Sequence, residues 1–459
     1  LREEEPRVTV WVMTASTMEK KILWEEKPAP LKKPVKGRKR KPRHKVTFSL
    51  LHSLPDEPDY VLLSRVEQTP EGRDANELDV VSDVLRMNIV TGDMASVTPA
   101  HGIKGARMFS WVPDHTGTIR MGYGEVGDDE PVLLVRKDAN SDWTRLHDND
   151  LFGRGKFFPI AFSADPDILY VSSSLATGRD AIYRFSIGRG RLKGKIFSHP
   201  EVDVSRLIFS KDNERVLAVA YYDDEYRLEV LDEDFKAHIG KISQAVGDEK
   251  ITLGVADKSG SRQIVWVGDE SSSRRPWVYF KASGKALPLP DPTPWLDAED
   301  GVPVASVRYR ARDGLEIPAY LTLPKGAEKA GNLPAILLPH GGPYVRDIKG
   351  WDYWVQFLAS RGYAVLQPNF RGSVGFGDRY MAMGFGQWGD DMQQDVADGA
   401  KWLIEEGIAD PNRICIVGGS YGGYATLMGL VQDSDLFRCG VAWAPVTDLK
   451  AILLQDNAW

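Results

Sequence analysis

The sequence predicts two structural units in series: a β-propeller over residues 1–295 and an α/β domain with a mostly parallel sheet over residues 296–459. Three observations lead to this prediction. In the first unit a short phrase recurs at spacings of roughly 50 residues, which is the period of a multi-stranded blade. In the second, near-continuous apolar runs alternate with helix-like runs, as in a parallel sheet covered on both faces. Between them, residues 291–303 carry repeated prolines and indicate a linker.

The repeated phrase is a Phe-Ser dipeptide, followed by a polar turn and then by an alternating strand. It occurs at Phe48-Ser49, Phe109-Ser110, Phe162-Ser163 and Phe209-Ser210, and a degenerate copy begins near Ile251. About five units can be recognised, besides an N-terminal piece around residues 8–12. An irregular β-sandwich is the alternative, but the persistence of the repeat favours the propeller. Because a propeller closes only when its first and last blades meet, we expect the N-terminal part to be incomplete or degenerate.

The second unit opens with a predicted hairpin around Asp313-Gly314, where a turn dipeptide separates two alternating runs. Four further strands are expected at residues 335–338, 363–366, 414–417 and 439–443, and three helices near residues 352–360, 391–406 and 421–432. Buried strands separated by helices indicate a doubly wound sheet.

Composition limits the classes of function. The chain has 459 residues, a hydrophobic fraction of 42% and a net charge of −7, which is typical of a globular protein and argues against a dedicated nucleic-acid binder. No apolar run approaches the roughly 20 residues that cross a bilayer, so no membrane partner is expected. The first residues are acidic, lack a starting Met and do not form a signal peptide. The compartment stays undetermined, and a homo-oligomer is compatible with the sequence.

A basic tract covers residues 32–45 and contains nine Lys and Arg residues without an acid. Such a tract could bind nucleic acid or an anionic surface. We interpret it as a solvated loop, because it lacks interleaved aromatic residues and the rest of the chain is acidic.

The chain contains two cysteines, Cys415 and Cys439, in apolar runs that predict strands. We expect buried free thiols rather than a disulfide, and no metal site.

The stretch 414–424 carries the strongest chemical signal. An apolar run ends in Gly418-Gly419, Ser420 follows, and Tyr421-Gly422 opens a helix-like run, which matches G-x-S-x-G. In this motif a sharp strand-to-helix turn holds the serine in a strained conformation and exposes its hydroxyl above the sheet. Strand, turn and helix occur in the required order. We therefore predict that Ser420 is a nucleophile rather than part of a plain glycine-rich turn.

A second motif, His340-Gly341-Gly342-Pro343, directly follows a predicted strand. Acyl transfer develops an oxyanion, which two aimed backbone N–H groups stabilise better than mobile water does. The expected donors are the N–H groups of Tyr421 and of Gly342, since Pro343 has none. His340 follows the wrong strand for a catalytic base, so we expect it to stabilise the loop by a hydrogen bond.

Two further residues are candidates for substrate binding. Arg371 belongs to a glycine-rich segment after the next strand and could offer a charge to the substrate, or could be purely structural. Tyr424 lies one turn into the helix that follows Ser420.

The remaining partners of a catalytic triad are not apparent. The order in α/β-hydrolases is Ser, then Asp or Glu, then His, but no His occurs after Ser420, and Asp448 and Asp456 come too early. We expect the triad Asp and His beyond residue 459, in a part that the sequence given lacks.

These motifs, placed after a propeller, resemble the prolyl oligopeptidase family of serine peptidases, and within it the acylaminoacyl-peptidase and dipeptidyl-peptidase-like branch. The resemblance covers about residues 305–459 and rests on residues 340–343, 369–373 and 418–423. It implies an α/β-hydrolase fold, here truncated at its C-terminus. It also implies Ser420 as nucleophile, Tyr421 and Gly342 at the oxyanion hole, no cofactor, and short peptide substrates selected by the propeller.

Two other functions stay open. A carboxylesterase could use the same machinery, although a large β-repeat domain fits small-ester access poorly. The chain could also be a non-catalytic binding protein in which the propeller is the interaction surface. Within the peptidase hypothesis, the residues do not decide between a free and a blocked substrate N-terminus.

Overall fold

The structure is a computed structural model. It describes residues 9–13, 20–25, 45–54, 56–71, 77–98, 106–126, 130–146, 157–210, 214–247, 249–257, 259–296, 300–327 and 331–450. The basic tract lies outside these residues except for Lys45, and so does Asp456. At the N-terminus β1 (Thr9–Met13) and β2 (Lys20–Glu25) form a separate two-stranded antiparallel sheet.

Five small antiparallel sheets follow one another along the chain and form the blades of a β-propeller. The first blade contains β3 (Lys45–His52), β4 (Tyr60–Glu71), β5 (Glu77–Asn88) and β6 (Met94–Ser96). The second contains β7 (Ala106–Pro113), β8 (Ile119–Val126), β9 (Glu130–Val135) and β10 (Thr144–Leu146), and the third β11 (Phe157–Phe162), β12 (Ile168–Ser173), β13 (Ala181–Ser186) and β14 (Arg191–Phe197). The fourth contains β15 (Val204–Phe209), β16 (Val216–Tyr222) and β17 (Tyr226–Val230), and the fifth β18 (Ile251–Ala256), β19 (Arg262–Val267), β20 (Arg275–Phe280) and β21 (Lys285–Pro288). The prediction of a propeller is confirmed.

The Phe-Ser phrase marks the first strand of a blade. Phe162 ends β11 and is buried in a core shared by the second and third blades. Ser163 follows, and its hydroxyl accepts a hydrogen bond from the N–H of Asp165, 3.1 Å away, which closes the polar turn before β12. In the fourth blade Ser210 does the same for the N–H of Arg215, at 3.0 Å. In the third and fourth blades the phrase therefore joins an apolar residue at the end of the first strand to the turn that follows, whereas Phe48 and Phe109 lie within β3 and β7.

Neighbouring blades pack through shared apolar clusters. Trp111 of the second blade packs with Val84 of the first, and Tyr170 of the third packs with Val219 of the fourth. The helix α1 (Glu233–Ala245) follows β17, and its Ile242 packs onto the fifth blade.

The second unit is a single mixed sheet of six strands in the order β22-β23-β25-β24-β26-β27. The strands are β22 (Val304–Arg310), β23 (Glu316–Thr322), β24 (Leu333–Leu337), β25 (Ala364–Pro368), β26 (Ala409–Gly419) and β27 (Cys439–Trp443). The first two form the predicted hairpin and are antiparallel, whereas β25, β24, β26 and β27 run parallel. The carboxyl ends of these parallel strands therefore meet at one edge of the sheet. The 340–343 turn after β24 and the Ser420 corner after β26 lie at this edge.

The helices that the structure describes beside the sheet are α2 (Tyr353–Ser360), α3 (Asp378–Ala382), α4 (Asp391–Glu405) and α5 (Tyr421–Gln432). The short α3 was not predicted. Within the described residues, no helix is both long and apolar enough to span a membrane.

The expectation of free thiols is wrong. Cys415 and Cys439 form a disulfide, because β26 and β27 are parallel neighbours whose register sets these two residues opposite each other, with Cα atoms 4.8 Å apart. The strand composition predicted each cysteine's environment separately, but only the strand order makes them partners. Both are also less buried than expected, since β27 is the outermost strand of the sheet among the residues described.

Candidate active site

Ser420 occupies the sharp corner between β26 and α5. Its backbone has φ 56° and ψ −119°, a left-handed conformation that a non-glycine residue adopts only under constraint. Two hydrogen bonds impose the constraint: the Ser420 N–H donates to the Trp443 carbonyl at 3.1 Å, and the Ser420 carbonyl accepts from the Tyr424 N–H at 3.0 Å. The side chain is exposed. The predicted exposure of the hydroxyl at a strained corner is therefore what the geometry shows.

The glycines of the motif allow this corner to pack closely. A Cβ on Gly418 would overlap the carbonyl of Gly422, and a Cβ on Gly422 would overlap the carbonyl of Pro339 at the end of the neighbouring strand. Gly419 lies against the ring of Trp443 with the same lack of space. Only glycine fits these positions, because the obstructing groups are mostly backbone.

The turn after β24 lies beside Ser420. A Cβ built on Gly341 would be 3.5 Å from the Ser420 Cβ, so the two segments are in van der Waals proximity. Gly342 has φ +107°, which requires glycine, and its peptide bond to Pro343 is cis. The structure thus brings together the two segments that carry the predicted oxyanion donors, the N–H groups of Tyr421 and Gly342.

His340 is a buried structural residue. Its Nδ1 lies 2.8 Å from the Gly341 carbonyl and its Nε2 lies 2.9 Å from the Ser373 hydroxyl, while its ring stacks on Phe370. Desolvation lowers the pKa of His340 to about 4, so the ring is neutral near pH 7. The predicted loop-stabilising hydrogen bond is therefore present, in the turn that contacts Ser420.

The side chains of Tyr421 and Tyr424 point into the core. Tyr421 packs among Phe370, Trp388 and Tyr424, and its hydroxyl has no hydrogen-bond partner within the described ranges. Burial raises the pKa of Tyr421 well above its ordinary value. Tyr424 is 8% exposed and contacts Trp388. Tyr421 can therefore act through its backbone, whereas the packing of Tyr424 favours a core role over substrate contact.

Arg371 is held by three carboxylates. Its Nε and Nη2 donate to both oxygens of Asp395 at 2.8 and 2.7 Å, and its remaining donors reach Asp391 and Asp313, each at 2.9 Å. The hydrogen bonds to Asp395 raise the pKa of Arg371, while desolvation raises the pKa of Asp395. With the guanidinium 5% exposed and its donors engaged, the geometry favours the structural alternative for Arg371.

Sequence reasoning missed the acidic partners of Arg371. Asp391 and Asp395 lie one turn apart on α4, and this spacing was the available signal. It places both carboxylates on one helix face, but it does not say which loop that face covers.

Sequence reasoning also missed the contacts between the loop after the oxyanion turn and the propeller. Arg346 donates to the carbonyls of Tyr222 and Asp223, and the Lys349 ammonium pairs with Glu225 and Glu270. No local pattern could reveal them, since the partners precede the loop by 79 to 124 positions and include main-chain atoms.

No cluster of three or more potential metal ligands occurs in the part of the chain that the structure describes. A surface cavity of about 490 Å³ lies between β22 and α4, lined by residues such as Arg308, Arg310, Lys401 and Trp402. None of its lining residues belongs to the Ser420 corner or to the 340–343 turn.

Comparisons with known proteins cover the segment that contains Ser420. The family model described as "Prolyl oligopeptidase family" matches residues 351–459, which include the Ser420 corner. Residues 351–459 are therefore similar to the prolyl oligopeptidase family. The dipeptidyl aminopeptidase BIII of Pseudoxanthomonas mexicana is 28% identical over 382 residues, covering 81% of this chain and 54% of that protein. The human acylamino-acid-releasing enzyme is 27% identical over 172 residues, covering 35% of this chain and 24% of that enzyme.

Solved structures of prolyl oligopeptidase-family proteins share the fold. A puromycin-hydrolyzing peptidase of Mycobacterium tuberculosis matches 89% of this chain and 63% of its own with a TM-score of 0.66 at 18% identity. This likeness confirms the succession of a propeller and an α/β-hydrolase sheet. The chain spans about half the length of the dipeptidyl aminopeptidase that it matches.

Proposed function

We propose that this protein is a serine peptidase that hydrolyses short peptides through an acyl-enzyme on Ser420. The observation that carries the proposal is the exposed Ser420 hydroxyl at a strained corner, with the Gly341–Pro343 turn directly beside it. A family assignment that includes this corner supports the same chemistry.

The reaction uses the groups in a fixed order. Ser420 Oγ attacks the scissile carbonyl carbon and gives its proton to a general base, and the carbonyl oxygen becomes an oxyanion facing the N–H groups of Tyr421 and Gly342. Collapse of this intermediate breaks the C–N bond, and the proton passes to the departing amine. Water then attacks the acyl-enzyme, so that the acid leaves and Ser420 recovers its proton.

In this proposal the general base is a histidine oriented by a carboxylate, and no described residue is assigned to either role. His340 does not fit the role of general base, because burial lowers its pKa to about 4 and makes it a weak proton acceptor, and its two ring nitrogens are engaged by the Gly341 carbonyl and the Ser373 hydroxyl.

The propeller, assigned to residues 1–295, restricts access to the peptidase domain at residues 296–459. Turns of its third and fifth blades contact helices α3 and α2 of the second unit: the Ser174 hydroxyl donates to Asp378 at 2.6 Å, and the carbonyl of Glu270 accepts from Gln356 at 3.3 Å. Large folded substrates would not reach Ser420 past these turns, whereas short peptides would.

A fluorophosphonate probe tests the nucleophile. The full-length protein should be labelled, Ser420→Ala should abolish the labelling, and Ser434→Ala, a change at an exposed serine after α5, should leave it intact. Labelling that persists in Ser420→Ala would remove Ser420 from its assigned role.

The substrate class is tested with three reporters: a dipeptide anilide with a free N-terminus, an acylated amino-acid anilide and a short acyl ester. The names of the two relatives, a dipeptidyl aminopeptidase and an acylamino-acid-releasing enzyme, favour turnover of one of the anilides. Turnover of the ester alone would instead identify a carboxylesterase.

A further inference from the structure

Arg346 connects the oxyanion turn to the propeller. It lies three residues after Pro343, and its Nη1 and Nη2 donate to the carbonyls of Tyr222 and Asp223 at 3.2 and 2.7 Å. Tyr222 is the last residue of β16, and Asp223 opens the turn to β17 in the fourth blade. The guanidinium therefore recognises the main-chain shape of that turn, which a planar fork of donors does better than a flexible ammonium.

The Arg346 guanidinium is enclosed by three segments of the chain. It stacks over the ring of Phe376 at 4.1 Å, and its Nη2 lies 3.3 Å from the Tyr320 hydroxyl. A Cβ on Gly375 would lie 2.8 Å from Nη1, so glycine at this position leaves the space that Arg346 occupies. Arg346 has all of these contacts only when the propeller turn is docked, because that turn supplies the two carbonyl acceptors of Tyr222 and Asp223.

Lys349, three residues after Arg346, forms a second set of contacts between the same loop and the propeller. The Lys349 N–H donates to the Asp224 carbonyl at 2.7 Å, and its ammonium pairs with Glu225 at 3.1 Å and Glu270 at 3.4 Å. Lys250 pairs with the same two glutamates from the propeller side. The loop from Tyr344 to Lys349 is thus attached to the fourth and fifth blades along its length.

We infer that Arg346 is a positioning residue: the docked propeller turn, acting through Arg346, holds the Gly341–Pro343 turn in the place where the Gly342 N–H meets the oxyanion. This inference rests on the proposed function. It makes the propeller a condition for transition-state stabilisation as well as a filter for substrates. The physical reason is that oxyanion donors are effective only when they are fixed beforehand at hydrogen-bond distance, and displacement by about 1 Å costs on the order of 100-fold in rate.

The test compares Arg346→Lys and Arg346→Met with the unchanged full-length protein, using a short acyl ester and a peptide anilide. We expect kcat to fall about 100-fold in Arg346→Met and less in Arg346→Lys, with KM nearly unchanged, for both substrates. The ester is decisive because it is small enough to enter without help from the propeller. If only the anilide were affected, Arg346 would govern access and the inference would be overturned.

A boronic acid, which forms a tetrahedral adduct with the serine, provides a second readout. Its inhibition constant should rise by the same factor as kcat falls, because both depend on the oxyanion donors, whereas binding of a product peptide should not change. A purely structural role would not produce this proportionality.

Two further variants keep the inference falsifiable if Arg346→Met does not fold. Tyr320→Phe removes the hydroxyl beside Arg346 and Asp224 without changing the volume, and it should lower kcat by about 2- to 10-fold. Ser174→Ala removes a contact between the same two domains that does not involve the 341–349 loop, and kcat should stay unchanged. An equal loss in Ser174→Ala, or none in the Arg346 and Tyr320 variants, would overturn the inference. Absence of turnover and of Ser420 labelling in the unchanged protein would instead overturn the proposed function.

Discussion

The outer strands of the propeller and the central strands of the mixed sheet differ in how they are covered. None of the seven residues of β14, on the rim of the third blade, is buried, whereas all five residues of β25 are. A blade packs its inner strands against neighbouring blades and exposes its rim to water. The parallel strands have elements packed on both faces, which is why their sequences are almost continuously apolar.

This difference decides where substitutions matter. Every position of the Ser420 corner touches backbone or a packed ring, so small changes in volume move the site. The propeller meets that site through turns, carbonyls and paired charges, which are individually weaker and more tolerant. Substitutions matched between the two regions test whether this contrast holds.

The largest expected effect comes from breaking the buried ion pair between Arg371 and Asp395 in the second unit. Arg371→Met leaves Asp395, whose side chain is fully buried, without its bidentate partner, and should lower the free energy of unfolding by about 3–5 kcal/mol. Arg145→Met removes an ion pair in the second blade whose Glu130 is 60% exposed, and should cost less than about 1 kcal/mol. Urea denaturation of both variants measures the difference, and equal losses would contradict the contrast.

The second-largest effect concerns the space available for an added methyl group at two glycines. Gly422→Ala forces a methyl group against the Pro339 carbonyl, so we expect a loss of about 1–3 kcal/mol and slower phosphonate labelling, because the adjacent turn is displaced. Gly194→Ala in β14 meets no atom of the described residues within 4 Å and should change stability by less than about 0.5 kcal/mol. Thermal unfolding and labelling rates provide the measurements. A tolerated Gly422→Ala would show that the corner can relax.

A pH effect is expected at the boundary between the two regions. Burial, with a further contribution from Asp352, raises the pKa of Asp347 to about 7 from an ordinary value of 3.8. The unfolded chain therefore releases this proton first, and the stability contributed by the protonated form is lost as pH rises from about 4 to about 7. Asp347→Asn should remove that decline. Parallel pH profiles of the free energy of unfolding for the two proteins would contradict the assignment.

The smallest effect is expected at the Tyr421 hydroxyl, which is buried without a partner among the described residues. Tyr421→Phe should leave the free energy of unfolding unchanged or raise it by about 1 kcal/mol, because it removes an unsatisfied polar group and keeps the aromatic packing. Calorimetry can resolve this change. A clear destabilisation would mean that the hydroxyl has a partner.

The sequence by itself determined the features that depend on neighbouring residues. The Phe-Ser phrase predicted the blades, since an apolar anchor and a turn lie within a few positions of each other. The corner at Ser420 was predictable because its strand, its glycines and its helix are contiguous. The same locality suggested a structural role for His340, whose partner at Nδ1 is the next residue along the chain.

Tertiary structure alone decided which distant groups meet. It paired Cys415 with Cys439 through the strand order and enclosed Arg371 among carboxylates from two other elements. It also placed Arg346 in contact with a turn of the fourth blade. Periodicity and glycine stereochemistry act over a few residues, whereas these contacts join groups that are brought together only by the register of the sheet and the docking of the propeller. That is why the proposed nucleophile could be predicted from a short stretch of sequence, whereas the residue that we propose positions the oxyanion hole could not.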